Sequence, residues 1–377
     1  MSGSVAVSGR LVLADRVMAG RVIVEGDRIV AVEPDVAAAD GPFIAPGFLD
    51  LHCHGFGGHD AMGGRQALDG MARALLRQGV TGFLPTAITL PVERLADFAA
   101  AVRAWLPEAP GDGASPLGGF NLEGPFVAPA RKGAHNPAWL RAPADLTDEQ
   151  LAPLLDGLRI TTIAPELPGA LELIARLRDL GIVTSIGHSG ATLDEARAGY
   201  AAAGDRVTTT HLFNAMTGVD HREPGLSVVA LTDDTAFTEL IADGNHVHPA
   251  LWPIIVRTKP ADRLVLVSDA LSFAGLGDLR AEIGGLEIEV KDGRCTLVHG
   301  GSLAGAVVAL DTGVRNLVRS GVPLPRAVAA ASANPAALLD LTDRGSIAAG
   351  MRADLVELDD DLVVRRVMQG GGWHTAA

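Results

Sequence analysis

Eight short apolar runs punctuate the middle of this chain, and most of them stop on an imidazole or a carboxylate. They are GFLDLHCH (47–54), TGFLPTAI (81–88), LGGFNLEG (117–124), ITTIAPEL (160–167), VTSIGHS (183–189), RVTTTHLF (206–213), FTELIADG (237–244) and RLVLVSDA (263–270). Between them lie alanine- and leucine-rich stretches of helical period, among them ALDGMARALLRQG, VERLADFAAAVRAWL, ALELIARLRDLG and TLDEARAGYAAAG, several closing on a glycine that favours a helix stop. Eight strands alternating with helices is the count of a (β/α)8 barrel. A doubly wound sheet is the rival, but no glycine-rich phosphate loop follows the first strand.

Such a barrel takes about 250 residues, and the chain has 377. The surplus is at the ends. VAVSGRLVLA and RVIVEGDRIVAVEP alternate and are rich in β-branched residues, with a turn at Gly26-Asp27, and ADLVELDDDLVVRRVMQGG near the C-terminus reads the same way. The expected fold is therefore α/β: a (β/α)8 TIM barrel over residues 47–344, with a small β-sandwich domain assembled from residues 1–46 plus 345–377. After the eighth run, LEIEVKDGRCTLVHG predicts a hairpin turning at Asp292-Gly293, and a helix pair covers 306–321 and 325–339.

Charge excludes some partners. Lys and Arg total 31 against 45 Asp and Glu, a net charge of −14, and no basic run exists, so a nucleic-acid partner is not expected. No stretch of about 18 uncharged apolar residues suggests a membrane span. The N-terminus makes a poor signal peptide, with Arg10 and Asp15 inside any apolar region, and the expected location is cytoplasmic. Cys53 and Cys295 are too few for a disulfide framework.

In a parallel barrel the C-terminal strand ends converge on one face, where barrel enzymes carry their active sites. Here those ends hold His52 and His54, Glu123, His188, His211, Asp243 with His246 just beyond, and Asp269. Alternation aims His52 and His54 to one side and Cys53 away from it, so the pair can share a divalent ion; alone, an H-x-H could equally be a hydrogen-bonded structural pair. Glu123, His188 and His211 suit zinc or iron, and three protein ligands leave room for water. None of the three lysines (Lys132, Lys259, Lys291) ends a barrel strand, so a bridging carbamylated lysine is not available and Glu123 is the best bridge between two ions. Asp269 fits a general base and acid beside the metal, or, more plainly, a cap for the next segment. His135 could polarise a carbonyl oxygen. Arg222 and His246 are candidate clamps for an anion, against the plainer reading of Arg222 as a solvated charge.

Taken in order, PGFLDLHCHG, LEGPF, KGAHNP, GHS, HLFNAM, REPG, DGNHVHP, SDA and GSIAAGMRADLVELD resemble the N-acetylglucosamine-6-phosphate deacetylase family of the amidohydrolase superfamily over nearly the whole chain. The first and last of these motifs mark only the superfamily; LEGPF with KGAHNP, and HLFNAM with REPG, are more specific. The resemblance implies hydrolysis of a sugar-phosphate acetamide to the free amine and acetate. It implies that Glu123, His188 and His211 hold the main metal and that Asp269 is the catalytic acid and base. Ala134 and His135 would touch the substrate, Asn214, Ala215, Arg222 and His246 would lie along the sugar phosphate, and Ser302, Leu303 and Ala304 would form the last substrate loop. Members with H-x-H on the first strand hold two ions, so one or two divalent ions are expected, zinc first and iron or another transition metal otherwise. The phosphate clamp is often completed across a dimer, so a homodimer is expected. An N-acetylgalactosamine 6-phosphate substrate stays open, as does another amidohydrolase activity on cyclic amides or N-acyl groups. A non-catalytic scaffold is the remaining reading, set against metal and acid/base positions that are all filled by competent residues.

Overall fold

The computed structural model describes residues 4–376. All eight predicted runs form parallel strands. Six of them, Phe48–Cys53, Val80–Ala87, Phe120–Leu122, Leu158–Ile163, Val183–Ile186 and Val207–Thr209, line up side by side in chain order. Thr238–Leu240 and Leu264–Leu266 pair parallel as the seventh and eighth. Backbone hydrogen bonds close the ring. Thr209 N donates to Phe237 O at 3.2 Å on one seam; on the other, Asp269 N donates to His52 O at 2.9 Å and His54 N to Ala270 O at 2.8 Å.

The strands are buried on both faces, as a parallel barrel requires. Near their N-terminal ends Leu49, Ile160, Val183, Phe237 and Val265 belong to one buried cluster. A larger cluster, including Phe83, Phe120, Ile186, Leu212 and Leu266, joins the strands to the surrounding helices. Those helices are Gly64–Leu76, Val92–Trp105, Ala170–Asp179 and Leu193–Ala203 where helical period was read. The last of them starts on a reciprocal cap, Thr192 accepting from Glu195 N while Glu195 reaches back to Thr192 N.

The two ends of the chain interleave in one seven-stranded sheet. Its order is Gly372–Thr375, Val364–Gln369, Leu355–Leu358, Phe43–Pro46, Val5–Val12, Val17–Glu25, Arg28–Pro34. The seam between the two ends is antiparallel, with Leu355 opposite Pro46 and Leu358 opposite Phe43. The sheet rolls up on Leu11, Val22, Ile29, Ile44, Leu355 and Met368. Its outer turns meet: a Cβ on Gly371 would lie 2.0 Å from the carbonyl of Gly26, so only glycine fits there. The predicted hairpin forms as Leu286–Lys291 and Arg294–Leu297, and the structure adds a third strand, Leu279–Ile283, that had no predicted element.

Candidate metal centre and substrate pocket

Three of the site residues stand at strand ends in the left-handed backbone region: His188 at φ 47°, His211 at 26° and Asp269 at 52°. Non-glycine residues there cost of order 1–3 kcal/mol each, and such strain collects at functional sites. The surrounding ladder holds them, with His188 O accepting from Ala128 N at 2.9 Å. Gly133, at φ +55°, lets the neighbouring loop pass His188; a Cβ there would come within 3.0 Å of the ring.

The side chains converge on Glu123. Its Oε1 lies 3.0 Å from His188 Nε2 and 2.8 Å from His211 Nε2, and those two nitrogens are 3.2 Å apart. Its Oε2 lies 3.3 Å from His54 Nε2 and 3.2 Å from His135 Nε2. Asp269 Oδ1 is 3.2 Å from His54 Nε2 and 3.5 Å from His52 Nε2. Facing atoms of His52, His54, Glu123 and Asp269 all fall within 4.8 Å of one another.

The opposite ring nitrogens show what this cluster is suited to hold. His188 Nδ1 donates to Arg131 O at 2.9 Å and His54 Nδ1 to Thr86 O at 3.2 Å. A carbonyl only accepts, so in each neutral ring the proton sits on Nδ1 and Nε2 keeps a lone pair. Those lone pairs face carboxylate oxygens, an arrangement that needs a cation between them. His52 Nε2 is buried without a hydrogen-bond partner on the same side. Imidazole and carboxylate donors of this kind fit a divalent transition metal.

The electrostatics show how strongly these carboxylates and imidazoles act on one another. Burial opposes ionisation of Glu123, yet the imidazoles of His135, His52 and His188 hold its carboxyl well below the usual range. Burial likewise opposes the charge on Asp269, but His54 and His52 keep its carboxyl low. His54 rises to about 9 against its own burial, because Asp269 and Glu123 face it. His135 goes the other way, pushed down by burial. Its Nδ1 accepts from Thr89 N at 3.3 Å, which leaves Nε2 as the N–H that points into the site.

A cavity of about 410 Å³ opens over this cluster. Its wall takes in His54, Glu123, His188, His211, His135 and Asp269 at the inner end, and Ala134, Asn214, Ala215, His246, Ser302, Leu303 and Ala304 further out. His52 lies beneath the wall, fully buried. Arg222 is not on the wall: it is exposed on the loop after Met216, with its backbone N–H donating to Asp220 Oδ1 at 2.8 Å. Cys53 turns away from the cavity into the core shared with the helices.

His246 donates through both ring nitrogens, Nδ1 to Asp243 Oδ2 and Nε2 to Ala304 O, each at 2.8 Å. Both partners are acceptors, which favours the doubly protonated imidazolium. Burial disfavours that charge, but the Asp243 carboxylate raises the pKa over it.

Sequence reasoning missed three residues. Glu239 sits behind His52, Asp50 accepts from the backbone N–H of Ser268 at 3.2 Å, and Arg131 lines the cavity and supplies the carbonyl behind His188. Burial raises Asp50 to about 6. The signal for Glu239 and Asp50 was a carboxylate interrupting an apolar run; Arg131 had none.

The chain belongs to the amidohydrolase family, whose model its residues 43–373 match. Its relatives there include amino-sugar-phosphate deacetylases. It is 38% identical over 348 residues to the N-acetylgalactosamine-6-phosphate deacetylase of Escherichia coli O157:H7, covering 90% of each chain. It is 38% identical over 389 residues to the N-acetylglucosamine-6-phosphate deacetylase of Bos taurus, covering 96% of this chain and 92% of that one. Among solved structures, a mutant of the Mycobacterium smegmatis N-acetyl-D-glucosamine-6-phosphate deacetylase in complex with N-acetyl-D-glucosamine-6-phosphate superposes with a TM-score of 0.90 at 34% identity, covering 98% and 99% of the two chains.

Proposed function

We propose that this chain hydrolyses the acetamide of N-acetylglucosamine 6-phosphate, giving glucosamine 6-phosphate and acetate. The observation that carries this reading is the convergence of Glu123, His188, His211, His135 and Asp269 at the inner end of one cavity, in a chain whose relatives bear that activity. Glu123, His188 and His211 would hold the main divalent ion, and His52 and His54, with Glu123 as bridge, a second. Zinc is the ion proposed first, with iron the alternative. Bound there, the metal supplies a Lewis acid that polarises the amide carbonyl and acidifies water.

The remaining steps belong to side chains. His135 presents Nε2–H to the carbonyl oxygen, where negative charge grows as water attacks the carbonyl carbon. Asp269 takes the proton from that water and returns it to the amide nitrogen as the C–N bond breaks, so the amine leaves neutral. Burial of this cluster keeps both groups out of bulk solvent. Ala134, Asn214, Ala215, Ser302, Leu303 and Ala304 would position the sugar. The His246 imidazolium adds positive charge to an otherwise acidic protein.

Arg222 does not line the cavity of its own chain. We assign it to the phosphate in the cavity of a second copy, which makes the active species a homodimer. The small β domain is taken as residues 1–46 plus 345–377 and the barrel as 47–344. A phosphorylated substrate supports a cytoplasmic location for the reaction; no helix among the described residues is long and apolar enough to cross a membrane.

Equal identity to a galacto-specific relative supports a second reading, in which the substrate is N-acetylgalactosamine 6-phosphate. Turnover of both phosphorylated epimers, the manno epimer and unphosphorylated N-acetylglucosamine, before and after chelation and metal return, tests both. Activity that survives chelation, or that ignores the phosphate, would overturn the proposal.

A further inference from the structure

Glu239 is a buried carboxylate that the proposed reaction leaves unused. It projects from the seventh barrel strand and is wholly shielded from solvent. Its Oε2 lies 3.3 Å from His52 Nδ1 and 3.2 Å from the backbone N of His211. Its Oε1 accepts from Ser185 Oγ at 3.4 Å, and that hydroxyl is 2.6 Å from Thr210 Oγ1. The carboxylate is thus pinned from behind by a chain of hydroxyls inside the barrel.

This makes His52 unlike the other imidazoles of the cluster. His54 and His188 are backed by the neutral carbonyls of Thr86 and Arg131. His211 Nδ1 has no hydrogen-bond partner among the described residues. Only His52 is backed by a carboxylate, with its other nitrogen unpartnered and 3.5–3.6 Å from Asp269 and Glu123. A carboxylate behind an imidazole fixes the proton on Nδ1, locks the ring plane and makes Nε2 a better donor to a metal.

We infer that Glu239 is the positioning residue of the second metal position, acting through His52, and that the affinity of the second ion depends on it while the first does not. The inference rests on the reading of His52 and His54 as ligands of a second ion. Substitution offers a clean separation. Glu239→Gln keeps an oxygen for His52 and His211 and turns its amide N–H toward Ser185 Oγ, so only the charge is lost. Glu239→Leu removes the acceptor as well.

The test titrates metal-free protein with zinc against a competing chelator and records the visible spectrum of the cobalt-loaded form. We expect the second dissociation constant to rise about 10-fold in Glu239→Gln, with the first changed by less than about threefold, and about 100-fold in Glu239→Leu, which also strips the acceptor from the backbone N–H of His211. The cobalt band of the second ion should shift in the Gln variant, which a purely structural role would not produce. Equal weakening of both ions, or an unchanged second ion, overturns the inference even if the parent protein binds two. A parent protein that binds only one ion overturns the two-ion reading itself, and the inference with it. Should Glu239→Leu fail to fold, the Gln variant decides alone.

Discussion

The inner end of the cavity and its mouth are held in different ways. Glu123, His135, His188, His211 and Asp269 are all buried, and all but Glu123 and His135 are locked at strand ends by unusual backbone angles. At the mouth Asn214, Ala215, Leu303 and His246 are half-buried, while Ser302 is exposed. The inner residues other than His135, which sits on the loop after the third strand, stand at the ends of barrel strands whose positions follow from closing the ring. The outer ones ride on loops, whose positions depend on what packs over them. The difference teaches that chemistry here is built into the barrel, whereas substrate choice is left to parts that can vary.

The largest expected effect falls on the inner end. His188→Ala or His211→Ala should abolish turnover and lower the metal content by one ion, read by elemental analysis. His52→Ala with His54→Ala should remove only the other ion; unchanged metal content in that double variant would erase the distinction between the two positions.

Asp269→Asn comes next. It keeps the shape and removes the base, so kcat should fall by about 10²–10⁴-fold with KM nearly unchanged and the main ion retained. Wild-type kcat would return Asp269 to a capping role.

Arg222→Ala tests the exposed loop residue assigned to the phosphate in a second copy's cavity. Loss of a charge-assisted contact of about 1.5–3 kcal/mol corresponds to a KM roughly 10- to 150-fold higher for the phosphorylated sugar, with kcat kept. An equal effect on the unphosphorylated sugar would place Arg222 away from the phosphate. Mixing this variant with Asp269→Asn should restore some activity if each cavity borrows its arginine from the other copy.

The smallest effect concerns the Asp243–His246 pair. His246 is raised from 6.5 and Asp243 lowered from 3.8, each held by the other against burial. The raised histidine stabilises the fold fully below about 6.5 and loses that contribution as pH rises through its folded value; the lowered aspartate acts fully above about 3.8 and loses its share as pH falls through its folded value. Asp243→Asn should therefore lower the melting temperature by a few degrees near pH 5–6, with the gap narrowing in alkaline buffer. A gap independent of pH would mean the contact is not ionic.

Much of the inner site was legible because a polar residue closing an apolar run is a local pattern. LEGPF, GHS and VLVSDA each show it within a few residues. Glu239 was hidden for the opposite reason: it lies inside its run, where a carboxylate reads as an irregularity of the strand until a partner 187 positions away is known. The strand Leu279–Ile283 was passed over because its pairing with Leu286–Lys291, across Gly284-Gly285, gives it its only regularity.

The residues alone determined the alternation of strand and helix, the barrel, the assembly of a β unit from both ends, and the kinds of donor present. Those follow from hydrophobic period and side-chain chemistry, which act over a few positions. Only the tertiary structure decided that Glu123 stands between two sets of imidazoles, that Arg222 does not line its own cavity, and that His52 is the one imidazole around Glu123 with a carboxylate behind it. Each of these depends on the registers of strands far apart in sequence, and no local period encodes where such a ring closes.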